Sequence, residues 1–211
     1  MDCSEKIKIL IVDDHPIMRA GISYIIKAQP DMLMVAQAGT GEEAVEEFER
    51  HRPDITLIDL QLPGMSGVEV IRKIRSRHTQ ARFVVLTNFE GDEDVHQALE
   101  AGAGGYLVKG MPHEVLVSAL RRVNRGGRFL PPTVSRALES RTPGSTLSER
   151  EREVLALMVA GKSNKEIGVS LGITEATVKR HVGSILMRLD VADRTQAVVA
   201  AFQRGLAHLR K

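Results

Sequence analysis

The 211-residue sequence predicts an α/β domain, doubly wound around a five-stranded parallel sheet, followed by a small all-α domain of four short helices. Three observations lead there. Within residues 1–125, five short apolar runs alternate with stretches of helical spacing, the pattern of a parallel sheet with helices on both faces. In the last 65 residues or so, every periodic segment has helical spacing. The charge also divides: residues 1–125 carry 15 Lys and Arg against 19 acidic residues, whereas residues 126–211 carry 14 against 8. An acidic first part joined to a basic second part implies two domains with different partners, the basic one suited to a polyanion.

In chain order, Ile7 to Val12 is a buried-strand run, followed by Asp13, Asp14, His15 and Pro16. Proline suits a helix's first turn, so a helix is expected to about Ala28, with Ile17, Ile22, Ile25 and Ile26 on its apolar side. Leu33 to Ala36 is a second strand. Thr40 or Gly41 opens a helix with Ala44, Val45 and Phe48 inward and Glu42, Glu43, Glu46 and Glu47 largely outward. Ile55 to Ile58 is the third strand; Ser66 starts a helix carrying Val68, Val70, Ile71 and Ile74. Phe83 to Leu86 is the fourth strand, ending at Thr87, and Glu90-Gly91-Asp92 leads into a helix reaching Ala101. Gly102 to Gly105 is its stop signal. Tyr106, Leu107 and Val108 form the fifth strand, Lys109 follows, and Pro112 opens a helix ending near Gly126-Gly127.

Gly126-Gly127, Pro131-Pro132 and Pro143-Gly144-Ser145 punctuate residues 126–146, read as a linker with a short helix over Thr133 to Ser140. The expected domains are therefore 1–125, the linker 126–146, and 147–211. In the last, Ser148 and Glu151 form a capping box ahead of Val154, Leu155, Met158 and Val159, with Gly161 as the stop. Asn164 can cap a short helix to Leu171, stopped by Gly172. Thr174 can cap a third helix, whose Val178, Val182, Ile185 and Leu189 make one apolar stripe. Asp193 can cap a fourth, with Ala197, Val198, Ala201 and Phe202 inward. The tight Gly172-Ile173 junction suits a helix-turn-helix.

The composition, 43% hydrophobic and 27% charged, is that of an ordinary globular protein. No apolar run reaches the ~18 residues of a membrane span, and residues 1–5 lack an apolar signal core, so a cytoplasmic location without a membrane partner is expected. Cys3 is the only cysteine, which excludes an internal disulfide and reads as a free thiol without a role.

The chain is organised around Ile55 to Gly64, an apolar run ending in the lone carboxylate of Asp59 and then the Pro63-Gly64 turn. Right-handed crossovers put all strand C-termini on one edge, where open α/β sheets bind ligands. Asp13, Asp14, Asp59, Thr87 and Lys109 all fall at or just beyond those ends. Three carboxylates at close range require a proton or a cation to offset them. A hard cation with oxygen ligands suits the set, and Mg²⁺ fits because it keeps waters and needs few protein ligands. Such a centre could draw in a phosphoryl group, with Lys109 on one phosphoryl oxygen, the Thr87 hydroxyl on another, and Asp59 as the carboxylate that accepts the group. Taken singly, an Asp-Asp pair is usually a solvated turn, a strand-end threonine a β-former, and a lone lysine a surface residue. Together, at one end of successive βα units, they are much harder to dismiss.

Ile11 to Pro16, Ile58 to Gly67, Leu86-Thr87 and Gly105 to Lys109 resemble the receiver domain of bacterial two-component response regulators, over about residues 5–125. The resemblance implies a flavodoxin-like fold in which Asp59 takes phosphate from the phosphohistidine of a sensor histidine kinase. It implies Mg²⁺ bound by Asp14, Asp59 and the Gln61 main-chain carbonyl, with Asp13 acting through water, and Thr87 with Tyr106 as a switch pair whose ring turns inward. Asn88 stands where a small residue is common, and Gly110 where an acidic residue often follows the lysine; phosphorylation is unaffected, but the acyl-phosphate lifetime does not follow from the family pattern.

In the basic part, Lys179, Arg180 and Gly183 lie opposite the apolar stripe of the third helix, near Thr174, Glu175 and Thr177. A helix with cations on its outer face can enter the major groove; from charge alone a solvated amphipathic helix is the commoner outcome. Leu147 to Leu155, Gly161 to Ile167 and Leu171 to Val182 are similar to the LuxR-type helix-turn-helix, over about residues 144–207. Both halves together resemble the NarL/FixJ class of response regulators. That resemblance makes Thr174 to Leu189 the recognition helix and Asp193 to Gly205 a dimerisation surface. It sets Lys179 and Arg180 on bases and Ser163, Asn164, Lys165 and Thr177 on phosphates, with Gly183 where some relatives carry a base-contacting lysine. The expected partners are a sensor histidine kinase, double-stranded promoter DNA, a second copy when phosphorylated and, as a further candidate, RNA polymerase. Two competing readings are an aspartyl-phosphate phosphatase, disfavoured because Gln61 stands where a second aspartate would act, and an adaptor whose basic bundle binds protein.

Overall fold

A computed structural model describes residues 6–88, 91–139 and 147–207. The chain forms two compact units, with the main boundary between Ser135 and Arg136. Cys3, Glu90, Ser140 and the Pro143-Gly144-Ser145 punctuator lie outside the described residues.

The first unit runs β1 (Ile7–Val12), α1 (Pro16–Lys27), β2 (Met32–Ala38), α2 (Gly41–His51), β3 (Ile55–Ile58), α3 (Gly67–Arg75), β4 (Phe83–Thr87), α4 (Asp92–Ala101), β5 (Gly105–Val108) and α5 (His113–Asn124). All neighbouring strands pair in parallel in the order β2-β1-β3-β4-β5, the flavodoxin-like arrangement. Every residue of β3 and β4 is buried, which is why these strands read as unbroken apolar runs. Ile9 and Ile11 of β1 pack in one cluster with Ile22 and Ile26 of α1 and Leu116 and Leu120 of α5. Phe48 of α2 stacks on Phe83 at 6.4 Å between ring centroids, α2 packing in turn against α3.

Local sequence explains most element starts. Thr40 caps α2 by accepting from the Glu43 N–H, and Ser66 with Glu69 forms a reciprocal capping box on α3. Four expectations for this unit need correction. Ile17 is 89% exposed: it precedes Ile22 by five residues, about 140° round the helix, so it cannot share that face. β2 is longer than Leu33 to Ala36. Gly105 belongs to β5, paired with Val84, and Pro112 is the residue before α5 rather than in its first turn. After α5 the chain returns to the sheet, where Phe129 accepts from the Tyr106 N–H at 3.0 Å and donates to Gly104. α6 (Pro132–Glu139) follows.

The second unit contains α7 (Glu149–Val159), α8 (Asn164–Leu171), α9 (Glu175–Leu189) and α10 (Arg194–Gln203). Its core gathers Leu147, Val154, Leu155, Met158, Ile167, Val178, Ile185, Leu189, Ala197 and Ala201. Ser148 with Glu151 caps α7 as expected, but α8 is capped by Ser163 with Glu166, leaving Asn164 as its first residue. The reason is spacing: only Ser163 has a Glu three residues on to complete the box. Gly172 ends α8 at φ 65°, a left-handed conformation that favours glycine. No helix among the described residues is long and apolar enough to cross a membrane.

Gly67 opens α3 hard against the end of β3: a Cβ there would stand 2.2 Å from the Asp59 carbonyl oxygen, whereas one on Gly183 would meet nothing within 4 Å. Gly67→Ala should therefore lower the unfolding free energy by about 1–3 kcal/mol, while Gly183→Ala should leave it level or raise it by about 1 kcal/mol. Urea denaturation of the two variants compares them, and equal midpoints would remove the clash as a constraint.

Candidate functional site

The parallel order puts the C-terminal ends of β1 and β3 side by side where the strand order reverses, the crevice in which such sheets bind ligands. Asp13 follows β1, and its N–H donates to Ala38. Asp59 follows β3, and its N–H donates to Val12 at 2.9 Å. Both residues are almost wholly buried, at 2% and 4% exposure. Lys109, just past β5, brings its ammonium between them: Nζ lies 2.6 Å from Asp59 Oδ2 and 2.7 Å from Asp13 Oδ2. The remaining Asp59 oxygen, Oδ1, accepts from the Gln61 N–H at 3.2 Å, and Asp13 Oδ1 accepts from the His15 N–H at 2.8 Å. The loop after β3 and the turn after β1 thus orient the carboxylates from the backbone.

Asp14 is half-buried, and its Oδ1, 2.6 Å from His15 Nδ1, is itself buried without a hydrogen-bond partner. Ligand atoms of Asp13, Asp14, His15 and Asp59 all lie within 4.8 Å of one another. Three carboxylates and one ammonium leave this pocket with a formal charge that a divalent cation would cancel. The Thr87 hydroxyl, at the end of β4, is buried without a hydrogen-bond partner, and an orphaned buried hydroxyl next to such a crevice invites a ligand oxygen. Tyr106 is fully buried, its ring already inside the unit. Gly110 has φ 95°, so an acidic side chain after the lysine would be strained here.

The sequence reading placed five of these residues at one edge but missed His15, whose ring joins the acidic group, and Arg19, whose guanidinium donates to the Asp13 carbonyl. It also missed Gly67 as the residue that lets α3 approach Asp59. His15 could have been picked out from its place directly after the acidic pair; Arg19 gives no signal, because only the turn of α1 brings it back.

In the helical unit, α8 and α9 pack on each other through Ile167 and Val178 around a close turn: a Cβ on Gly168 is placed 2.8 Å from the Ile173 carbonyl. Thr174 caps α9 by accepting from the Thr177 N–H, and the two hydroxyls are 2.9 Å apart. Arg180 and Gly183 are exposed on α9; Lys179 is exposed and paired to Glu175 at 2.9 Å, which holds the Glu175 carboxyl below its ordinary range. Lys165 is exposed on the first turn of α8, whereas the Ser163 hydroxyl is engaged by Glu166 and Asn164 Oδ1 accepts from Arg194. Two cations are structural: Arg150 donates to the Leu171 carbonyl at the end of α8, and Arg194 to the Lys162 carbonyl between α7 and α8.

Residues 9–121 match the family of response regulator receiver domains, and residues 145–201 match the bacterial regulatory proteins of the luxR family. The chain is 37% identical to the transcriptional regulatory protein DegU of Brevibacillus brevis, over 97% of each chain. It is 38% identical to the transcriptional regulatory protein LiaR of Bacillus subtilis (strain 168), over 96% of this chain and 100% of that one. Among solved structures it is similar to the response regulator ChrA of a heme-sensing two-component system, at 35% identity, 96% and 99% coverage and a TM-score of 0.57.

Burial opposes the Lys109 charge, but its hydrogen bonds to Asp13 and Asp59 and their attraction outweigh it, so its pKa lies above the ordinary 10.5. A base raised in this way contributes stability that is present below the unfolded value and is lost as pH rises through the folded one. Unfolding free energy should fall above about pH 10.5 more steeply in the wild type than in Lys109→Met; parallel curves would show that the bridge adds nothing to the fold.

Proposed function

The chain belongs to the response regulators that join a receiver domain to a LuxR-type DNA-binding domain, and from that premise we propose that phosphoryl transfer to Asp59 switches it into a homodimer that binds promoter DNA. The family consists of transcription factors rather than turnover enzymes. The observation that carries the proposal is the bridge of Lys109 between Asp13 and Asp59, at 2.7 and 2.6 Å, on the binding edge of the sheet.

In this reading an Asp59 carboxylate oxygen attacks the phosphorus of a sensor kinase phosphohistidine. A phosphorus–oxygen bond forms, the phosphorus–nitrogen bond breaks, and its electron pair leaves with the imidazole. Lys109 passes from Asp59 to a phosphoryl oxygen, keeping a cation on the charge that has moved. The unpartnered Thr87 hydroxyl donates to another phosphoryl oxygen, and Thr87 with the buried Tyr106 forms the switch pair. The clustered donors of Asp13, Asp14 and Asp59, with the Gln61 main-chain carbonyl, suit Mg²⁺, which when bound neutralises phosphoryl charge.

We assign the receiver to residues 1–125, the linker to 126–146 and the DNA-binding domain to 147–211. There α9 enters the major groove, Lys179 and Arg180 read bases, and Ser163, Asn164, Lys165 and Thr177 stand toward phosphates, with Thr174 at the DNA-facing start of the helix and Gly183 over the bases. Because Glu166 holds the Ser163 hydroxyl, Ser163 acts there chiefly by placing the first turn of α8. The α10 helix supplies the dimer contact. The protein works in the cytoplasm, with RNA polymerase as a further partner at the promoter.

Incubation with acetyl phosphate should label the wild type and raise its sedimentation coefficient toward that of a dimer, while Asp59→Asn takes up no label and stays monomeric. Label retained by the variant at the same stoichiometry would place the acceptor elsewhere. In a shift assay, Lys179→Ala combined with Arg180→Ala should weaken specific binding by about 1–3 kcal/mol for each base pairing removed; an unchanged affinity removes α9 from the groove.

A further inference from the structure

Because Val178, Ile185 and Leu189 of α9 are buried, the ridge that faces away from the core is Ala176, Arg180, Gly183 and Met187, and all four are exposed. Reading bases by hydrogen bonds requires donors and acceptors, and this ridge has one such side chain. Arg180 has no hydrogen-bond or ion-pair partner among the described residues. Lys179 stands to one side of the ridge with Nζ held by Glu175 Oε1 at 2.9 Å. Gly183 faces open space, with nothing within 4 Å of where a Cβ would lie. Ala176 presents a single methyl group one turn before Arg180.

We propose that Ala176 is a specificity-determining residue that reads the C5-methyl group of thymine, beside a guanine taken by Arg180; this rests on the DNA-binding reading above. Thymine shows an apolar methyl in the major groove, and the alanine methyl can contact it without burying an unpaired polar group. The short side chain reaches because Gly183 has none: no side chain at that position holds the helix off the base edges. The planar fork of Arg180 matches the O6 and N7 acceptors of guanine. Four residues of helix rise about 6 Å, close to two base-pair steps of about 3.4 Å, so the thymine and the guanine stand next to each other or one base pair apart.

The test uses the full chain phosphorylated with acetyl phosphate. Duplexes are selected from a random pool, and each thymine of the enriched site is then replaced by deoxyuridine, which lacks only the methyl group. At one position flanking the guanine, the wild type should bind the deoxyuridine duplex about fourfold more weakly, the worth of one methyl. Ala176→Gly should bind both duplexes equally, and Arg180→Ala should lose discrimination at the guanine but keep the deoxyuridine penalty. Equal wild-type binding at every thymine, or a full penalty retained by Ala176→Gly, overturns the inference while leaving DNA binding intact. If no duplex is enriched and none is bound at low salt, the DNA-binding reading fails and this inference fails with it.

Discussion

Two carboxylates cannot sit side by side at below 5% exposure unless something offsets their charge, and in this protein that is the Lys109 ammonium. The contact joins the ends of three strands that are far apart in sequence. Asp13 closes β1, Asp59 closes β3 and Lys109 closes β5, so one cation ties the middle of the sheet to its edge. The same contact leaves the pocket acidic overall. It is therefore both a structural tie and an incomplete one, since the Asp14 Oδ1 and the Thr87 hydroxyl are buried without a hydrogen-bond partner. A group that brings both negative oxygens and a divalent cation would complete it, which is what the proposed phosphoryl transfer to Asp59 supplies.

The helical unit meets a different constraint. Its helices are short, and short helices are marginal without tertiary support and satisfied ends. Capping boxes at Ser148 and Ser163 and the Thr174 and Asp193 caps satisfy the N-terminal donors. Arg150 and Arg194 satisfy carbonyls where α7 and α8 end. The positive charge of this part of the chain is thus not all available to a polyanion: some of it holds the bundle together, and Lys179 is shared with Glu175. What remains free on α9 is concentrated in Arg180.

Much of this was legible in the sequence, because the signals were local. The buried strands announced themselves as apolar runs, and Ser66, Ser148, Thr174 and Asp193 as caps. The edge of the sheet followed from βα alternation and crossover handedness, which needs no side-chain geometry. Where reading failed, the deciding information was rotational or tertiary. Ile17 is apolar like Ile22 and Ile26, yet its angle round α1 faces it to solvent. Asn164 looked like a cap until the glutamate spacing favoured Ser163. The Lys109 bridge and the return of Phe129 to β5 depend on separations that no local pattern encodes, and the Arg19 contact to Asp13 on the turn of α1.

The clash that forbids a side chain at Gly67 has a mechanical meaning. The first turn of α3 rests directly on the carbonyl of Asp59, and Gly67 donates its N–H to Leu60 at 2.9 Å. There is no slack between the two, and packed interiors transmit displacement rather than absorb it. Asp59 is therefore mounted on the end of a stiff lever. Any sub-ångström shift of its backbone is delivered to α3 as a whole, instead of dissipating in the loop that separates them in sequence.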